Sequence, residues 1–111
     1  MKKFFFNLVN SVNGLKIAMK EHSFLAEILG GFILMPYLLI ISLDNVFKLI
    51  IILTYFLLLA FELLDTSIEK LSDKITRDLD TDIKKIKDLS SAAVFMILML
   101  LIILLILTIF L

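Results

Sequence analysis

Apolar residues fall into three long runs along the chain. The first run covers residues 24–43, the second 46–64 and the third 91–111. Each run is close to the length of about 20 apolar residues that a helix needs to cross a bilayer. Only Asp44 and Asn45 separate the first two runs, so a tight turn must join them. The pattern predicts three transmembrane helices, of which the first two form an antiparallel hairpin.

The chain before the first run has a different pattern. Its apolar residues recur at spacings of three and four, which places them on one stripe of a helix. The stripe consists of Phe5, Leu8, Val12, Leu15 and Met19. We therefore predict an amphipathic helix over 3–21 that lies in the membrane surface. The alternative is an ordinary helix packed on a soluble neighbour, but the chain offers no soluble part for it to pack against.

The segment from 65 to 88 is polar, with six basic and seven acidic residues. Its few apolar residues keep helical spacing, so the second helix is expected to continue beyond the membrane to about residue 75. They are Ile68, Leu71, Ile75 and Leu79. Residues 76–82 lack a regular apolar pattern, which predicts a cytoplasmic loop over 76–88. Residues 1–111 then form a single membrane domain.

Composition agrees with a membrane protein and excludes several other classes. Hydrophobic residues make up 61% of the chain, whereas a soluble domain usually contains about 45–50%. The 11 basic residues balance the 11 acidic ones, and since a nucleic-acid binder needs a basic surface, no nucleic-acid partner is expected. The chain has no cysteine, and its single His22 cannot build a multi-histidine metal site.

The basic residues predict the orientation of the chain in the membrane. Ten of the eleven lie before the first run or between the second and third, and Lys48 is the exception. With three spans, these two regions lie on the same side of the membrane. Basic residues favour the cytoplasmic side, so the N-terminus is expected to be cytoplasmic.

Carboxylates are concentrated on the same side of the membrane. Glu62, Asp65 and Glu69 are spaced i, i+3, i+7, which puts them on one face of a helix. Apolar residues flank Glu62 and Glu27 on both sides, and a charge at such depth is costly. Each is expected to face the protein interior and a partner. An ion pair with a lysine is the alternative for Glu62, and a solvated face is the alternative for the acids of the polar segment.

A row of carboxylates at a membrane boundary suggests a particular chemistry. Mg²⁺ is bound through one or two carboxylates and completes its shell with water and substrate phosphates. A partly desolvated glutamate at the lipid boundary is well placed to accept a proton from a headgroup hydroxyl. These parts suffice for phosphoryl transfer, although the Gly-rich phosphate loop and the kinase catalytic loop are absent. Spacing alone predicts an acidic, metal-binding site at the membrane surface.

Three motifs resemble those of a known family. Residues 62–69 read Glu62-Leu-Leu-Asp65-Thr-Ser-Ile-Glu69, similar to the signature Glu-x-x-Asn-Ser/Thr-Ala/Ser-Ile-Glu of the small prokaryotic integral-membrane diacylglycerol kinases. The family's later Lys-Asp and small-residue run resembles Lys87-Asp88-Leu-Ser-Ser-Ala-Ala-Val94. Its Glu-x-x-Phe-Arg-x-Glu resembles Glu21-His-Ser-Phe24-Leu-Ala-Glu27. The motifs occur in the family's order and cover most of the chain.

The resemblance implies a fold and an activity. The fold is an all-α membrane protein with three transmembrane helices and an N-terminal amphipathic surface helix, assembled as a homotrimer whose active sites are shared between subunits. The activity is ATP-dependent, Mg²⁺-assisted phosphorylation of diacylglycerol to phosphatidic acid. The implied location is the bacterial cytoplasmic (inner) membrane, with several spans.

The resemblance also implies roles for particular residues. Glu62 is the implied catalytic base on the lipid hydroxyl, and Glu21 and Glu69 are the implied ligands of the metal, with Asp65 as a further candidate. The implied nucleotide contacts are Lys3, Glu21, Glu69, Asp78, Asp80, Lys87 and Asp88. The implied contacts of the lipid substrate are Glu27, Asp44, Lys48, Glu62 and Ser91.

Several positions depart from the family pattern. Asp65 replaces the asparagine of the signature, and its extra charge is expected either to tighten metal binding or to repel ATP. Leu25 replaces an arginine, Ser90 replaces a glycine before the third span, and Asn10 stands where the family often has a tyrosine. The proposed base and the two main metal carboxylates are retained.

Other functions remain as alternatives. An undecaprenol kinase of the same fold would act on a long polyprenyl alcohol instead of diacylglycerol. A small non-enzymatic membrane protein such as a holin would have no reason to hold Glu62, Glu69, Glu21 and Lys87 at one depth. A small multidrug transporter would need four spans and an acid in the middle of the membrane.

Overall fold

The chain folds into four helices joined by short connections. The computed structural model describes residues 1–76, 78 and 80–111, so Leu79 of the predicted stripe and Arg77 of the basic set lie outside the described residues. The helices are α1 (Lys2–Ala18), α2 (His22–Ile40), α3 (Asn45–Ile75) and α4 (Thr81–Phe110). α2, α3 and α4 are long and apolar enough to cross a membrane. The predicted all-α architecture is therefore confirmed, with three helices that could span a membrane.

The two longest helices extend well beyond the hydrocarbon core of a membrane. α3 has 31 residues and α4 has 30, which correspond to about 46 and 45 Å, against about 30 Å for the hydrocarbon core. α3 runs without interruption to Ile75, where the sequence pattern ended the second helix. The extra turns of both helices form a paired extension on the side that carries most of the charges.

The connection between α3 and α4 is shorter than the predicted loop over 76–88. Residues 81–88, predicted as loop, are helical because α4 begins at Thr81. Asp80 starts the helix: its Oδ1 accepts hydrogen bonds from the backbone N–H groups of Asp82 (2.9 Å) and Ile83 (3.1 Å). Such a cap satisfies donors that the first turn of a helix leaves free, and apolar periodicity does not reveal it.

The core lies between α2, α3 and α4. The buried apolar residues are Leu34, Leu38, Ile51, Tyr55, Leu58 and Leu101. α4 contributes little to this core, since only 11% of its most apolar 18-residue stretch is buried. A large apolar surface of α4 is thus left for lipid or for another chain.

α1 stands apart from this core. It is helical over Lys2–Ala18, and only Ala18 is buried. Large apolar side chains are exposed around the helix, including Phe4, Phe5 and Phe6, so the apolar surface is wider than the predicted stripe. That α1 lies in the membrane surface stays a prediction.

Candidate functional site

Two carboxyl groups meet between α2 and α3 at the boundary of the apolar spans. Glu62 of α3 is only 8% exposed, and its carboxyl group faces that of Glu27 of α2 closely enough for the two to interact. One oxygen of Glu27, Oε2, is buried and receives no hydrogen bond from the described residues. Two neighbouring carboxylates repel each other unless a proton or a cation lies between them. The pair is therefore a place where a proton can be held.

The alternative explanation of Glu62, an ion pair with a lysine, finds no support in the described part of the chain. The ion pairs formed there join Lys70 to Glu21, Lys84 to Asp88 and Lys87 to Asp73. Glu62 faces another acid instead. This arrangement is unfavourable for stability alone, which makes it a candidate for function.

Tyr55 holds the backbone beside this pair, and the sequence interpretation missed it. Its hydroxyl donates a hydrogen bond to the backbone carbonyl of Glu27 (2.8 Å), and its side chain is 7% exposed. Gly31 makes room for the ring, since a Cβ atom there would lie 2.6 Å from Tyr55 Cζ and closer still to the hydroxyl. A tyrosine inside an otherwise apolar run was the available signal, because a buried hydroxyl needs a partner.

Asp65 lies one turn beyond Glu62 and is bonded across to α4. Ser90 Oγ donates a hydrogen bond to Asp65 Oδ1 (2.6 Å). These are two of the positions at which the sequence departs from the family pattern, and the structure brings them into direct contact. A hydroxyl donor facing the carboxylate compensates part of the charge that Asp65 adds.

The two carboxylates expected to hold the metal lie on different helices. Glu21 precedes α2, and its Oε1 forms an ion pair with Lys70 Nζ (3.0 Å), while Glu69 is exposed on α3. Lys70 directly follows Glu69, so the ion pair places Glu21 at nearly the same height along α3 as Glu69. No group of three or more metal-ligating side chains is found among the described residues. One or two carboxylates with substrate phosphates still suit Mg²⁺, which prefers hard oxygen ligands.

A cavity at the α3–α4 connection brings several predicted nucleotide contacts together. It has a volume of about 320 Å³ and is lined by Thr76, Asp78, Asp80, Thr81, Ile83, Lys84 and Lys87. Lys87 Nζ also contacts Asp73 Oδ1 (2.6 Å), and Lys84 Nζ contacts the exposed Asp88 (2.7 Å). Lys3 is exposed on α1 and forms no ion pair with a described residue. The structure thus groups Asp78, Asp80 and Lys87, and leaves Lys3 apart.

The residues expected to contact the lipid are not all at one level. Glu27 and Glu62 face each other, and Ser91 is exposed in the N-terminal part of α4. Asp44 caps the opposite end of α3, where its Oδ1 accepts from the backbone N–H of Val46 (3.2 Å). Because α3 is continuous, Asp44 lies about 27 Å from Glu62 along the helix axis. Lys48, one turn after Asp44, is also at that far end, so these two side chains do not belong to the carboxyl pair.

Comparison with known proteins gives one family match. Residues 9–110 match the family described as prokaryotic diacylglycerol kinase. The matched region contains the carboxyl pair, the Asp65–Ser90 contact and the cavity at the α3–α4 connection. A comparison with individual curated proteins finds no match.

Proposed function

Since the chain belongs to the prokaryotic diacylglycerol kinase family, whose members are lipid kinases, we propose that it uses ATP to phosphorylate diacylglycerol to phosphatidic acid. The reaction takes place at the cytoplasmic surface of a bacterial inner membrane. The observation that supports this best is the contact between the Glu27 and Glu62 carboxyl groups. A carboxyl pair at the lipid boundary is suited to take the proton of a lipid hydroxyl.

Glu62 acts as the base in this proposal. The hydroxyl oxygen of the lipid attacks the γ-phosphorus of ATP, its proton passes to Glu62, and the bond to the oxygen bridging to ADP breaks. Glu27 lies beside Glu62 and shares the transferred proton. Burial of Glu62 excludes water, which would otherwise compete with the lipid as the nucleophile.

Glu21 and Glu69 hold the Mg²⁺ of the nucleotide in this proposal, and Asp65 is the further candidate ligand. When bound, the ion supplies positive charge that offsets the charge on the phosphates. Lys70 competes with the ion for Glu21, because the two side chains form an ion pair.

The nucleotide phosphates are proposed to reach the cavity at the α3–α4 connection. Lys87 and Lys84 supply the positive charge there, and Asp78 and Asp80 line the same space. Lys3 and Asp88 are proposed as further contacts on the outside of this region. On the lipid side, Glu27, Glu62 and Ser91 are proposed to face the headgroup.

The working form is proposed to be a homotrimer with sites shared between subunits. The exposed apolar surface of α4 supports this, because the three-helix core covers little of that helix. α1, with its exposed phenylalanines, is proposed to lie in the membrane surface.

A direct assay tests the activity. Purified protein in mixed micelles is expected to transfer phosphate from Mg-ATP to diacylglycerol, and transfer is expected to stop when EDTA removes the metal. Undecaprenol is offered in a parallel reaction. Transfer to undecaprenol alone would replace the proposed lipid, and transfer to neither lipid would contradict the kinase proposal.

The Asp65–Ser90 hydrogen bond gives a second test, on stability and nucleotide affinity. Replacing Ser90 with Ala leaves a half-buried carboxylate without its donor, which is expected to cost about 1–3 kcal/mol. Asp65→Asn is expected to cost less, because the amide oxygen still accepts the bond. The free energy of unfolding in mixed micelles and the KM for Mg-ATP are measured for each single variant and for the double variant.

The double variant shows whether the two positions act together. Since both substitutions affect one bond, their combined effect is expected to be smaller than the sum of the single effects. Ser67→Ala is the matched control, because its hydroxyl only donates to Leu63 O of its own helix. Additive effects of Asp65→Asn and Ser90→Ala would show that the contact is not energetically important.

A further inference from the structure

Tyr55 makes a polar contact inside the apolar part of the helix bundle. Its side chain is buried, and its ring packs edge-on near Phe56, with 5.9 Å between the ring centroids. In such surroundings a hydroxyl without a partner is costly. The carbonyl of Glu27 accepts the bond at 2.8 Å, in addition to the helical bond that a carbonyl at this position normally accepts from the residue four places later.

Gly31 is what permits this contact. A Cβ atom at this position would overlap the Tyr55 ring, whereas a Cβ atom at Gly30 would meet no atom within 4 Å. The Tyr55 ring therefore approaches the backbone of α2 this closely only when α2 and α3 keep their present relative position. Rotating or sliding α2 would separate the hydroxyl from the Glu27 carbonyl.

Glu27 uses its backbone and its side chain toward the same neighbouring helix. Its carbonyl receives the Tyr55 hydroxyl, and its carboxyl group meets Glu62. Tyr55 and Glu62 are seven residues apart, which is two turns on one face of α3. The hydrogen bond from Tyr55 thus holds the helical turn that carries the Glu27 side chain in a fixed position relative to α3.

Packing alone does not hold the Glu27 side chain in place. A cavity of about 210 Å³, lined mainly by apolar residues of α2, α3 and α4, lies beside Glu27 and Tyr55. This space would let the turn and its side chain move if the hydrogen bond were lost. We infer that Tyr55 is a positioning residue that holds the Glu27 carboxyl group against Glu62. The inference rests on the proposed kinase function.

The test compares two tyrosine hydroxyls that both join helices. Tyr55→Phe removes the bond to Glu27 and keeps the ring. Tyr37→Phe is the matched control, because the Tyr37 hydroxyl forms a 2.7 Å hydrogen bond with Thr108 of α4 and does not touch the carboxyl pair. Tyr55→Phe is expected to lower kcat roughly five- to tenfold, the size of effect that one hydrogen bond allows, with the KM for ATP unchanged. Tyr37→Phe is expected to keep the wild-type kcat.

A double variant separates positioning from a general loss of stability. In a Glu27→Gln background, Tyr55→Phe is expected to cause no further loss of kcat, because the group it positions is gone. An equal loss in both backgrounds, or equal kcat for Tyr55→Phe and Tyr37→Phe, would overturn the inference.

A spectroscopic readout does not depend on kinase activity. The infrared carboxyl band of the pair, assigned by its change in Glu27→Gln, is expected to shift in Tyr55→Phe and to stay in place in Tyr37→Phe. An unshifted band in Tyr55→Phe would overturn the positioning role. A shifted band in a protein that phosphorylates neither lipid would instead keep the positioning and remove the proposed function.

Discussion

Glu62→Gln is expected to lower kcat for lipid phosphorylation by about 100- to 10,000-fold, the usual contribution of a general base. Glutamine has the same shape as glutamate but cannot take the proton of the lipid hydroxyl. The KM for Mg-ATP is expected to change little, because Glu62 is buried against Glu27 rather than exposed with Glu69. The measurement is the rate of phosphate transfer from labelled ATP at saturating lipid.

Stability separates this effect from misfolding. The new amide can donate to the neighbouring Glu27, so the variant is expected to unfold at the same denaturant concentration as the wild type or at a higher one. Glu69→Gln is the comparison, because it removes a proposed metal ligand on the same helix and is expected to raise the Mg²⁺ concentration needed for half-maximal rate. An unchanged kcat for Glu62→Gln would remove Glu62 as the base and leave the kinase proposal standing.

Gly31→Ala is expected to destabilise the protein and to reduce its activity, whereas Gly30→Ala is not. The added methyl group at Gly31 overlaps the Tyr55 ring, and overpacking of this kind typically costs about 1–3 kcal/mol. The ring must also move away from Glu27, which breaks the hydrogen bond from Tyr55. The activity is expected to fall at least as far as in Tyr55→Phe.

Gly30→Ala is a closely matched control for this prediction. It lies on the same helix turn, and its methyl group would meet nothing within 4 Å. Replacing Gly with Ala stabilises a helix by about 1 kcal/mol. At Gly31 the clash with the Tyr55 ring opposes this gain, and at Gly30 no clash does. The free energy of unfolding of both variants is measured in mixed micelles by raising the fraction of a denaturing detergent. Equal stability of the two would mean that the ring and the backbone are not in close contact.

The start of α4 shows how far apolar periodicity can be trusted. Residues 81–88 were predicted as loop because charged residues interrupt the apolar spacing there. The structure places these charges on helix surfaces. Lys84 pairs with Asp88 within α4, and Lys87 of α4 pairs with Asp73 of α3. The local signal for a helix was the Asp80 cap, and recognising it needs attention to side-chain oxygens rather than to apolar positions.

The predicted lipid contacts lie at two levels of the membrane. Asp44 and Lys48 were grouped with Glu62 as lipid contacts. The uninterrupted helix α3 separates Asp44 from Glu62 by about 27 Å, nearly the thickness of the hydrocarbon core. The contact of Asp44 and Lys48 with the lipid stays a prediction, and the rigid helix shows only how far from Glu62 that contact would be.

The amino-acid pattern alone was enough to predict three helices long enough to cross a membrane and the row of acids on one face of α3. Both follow from local physics, because a chain in lipid must satisfy its backbone hydrogen bonds as a helix and a helix fixes which side chains share a face. The packing of the helices was needed to show that Glu27 faces Glu62, that Ser90 donates a hydrogen bond to Asp65 and that Tyr55 donates one to the Glu27 carbonyl. These contacts depend on which faces of separate helices pack together, and small features such as the missing side chain of Gly31 set that packing.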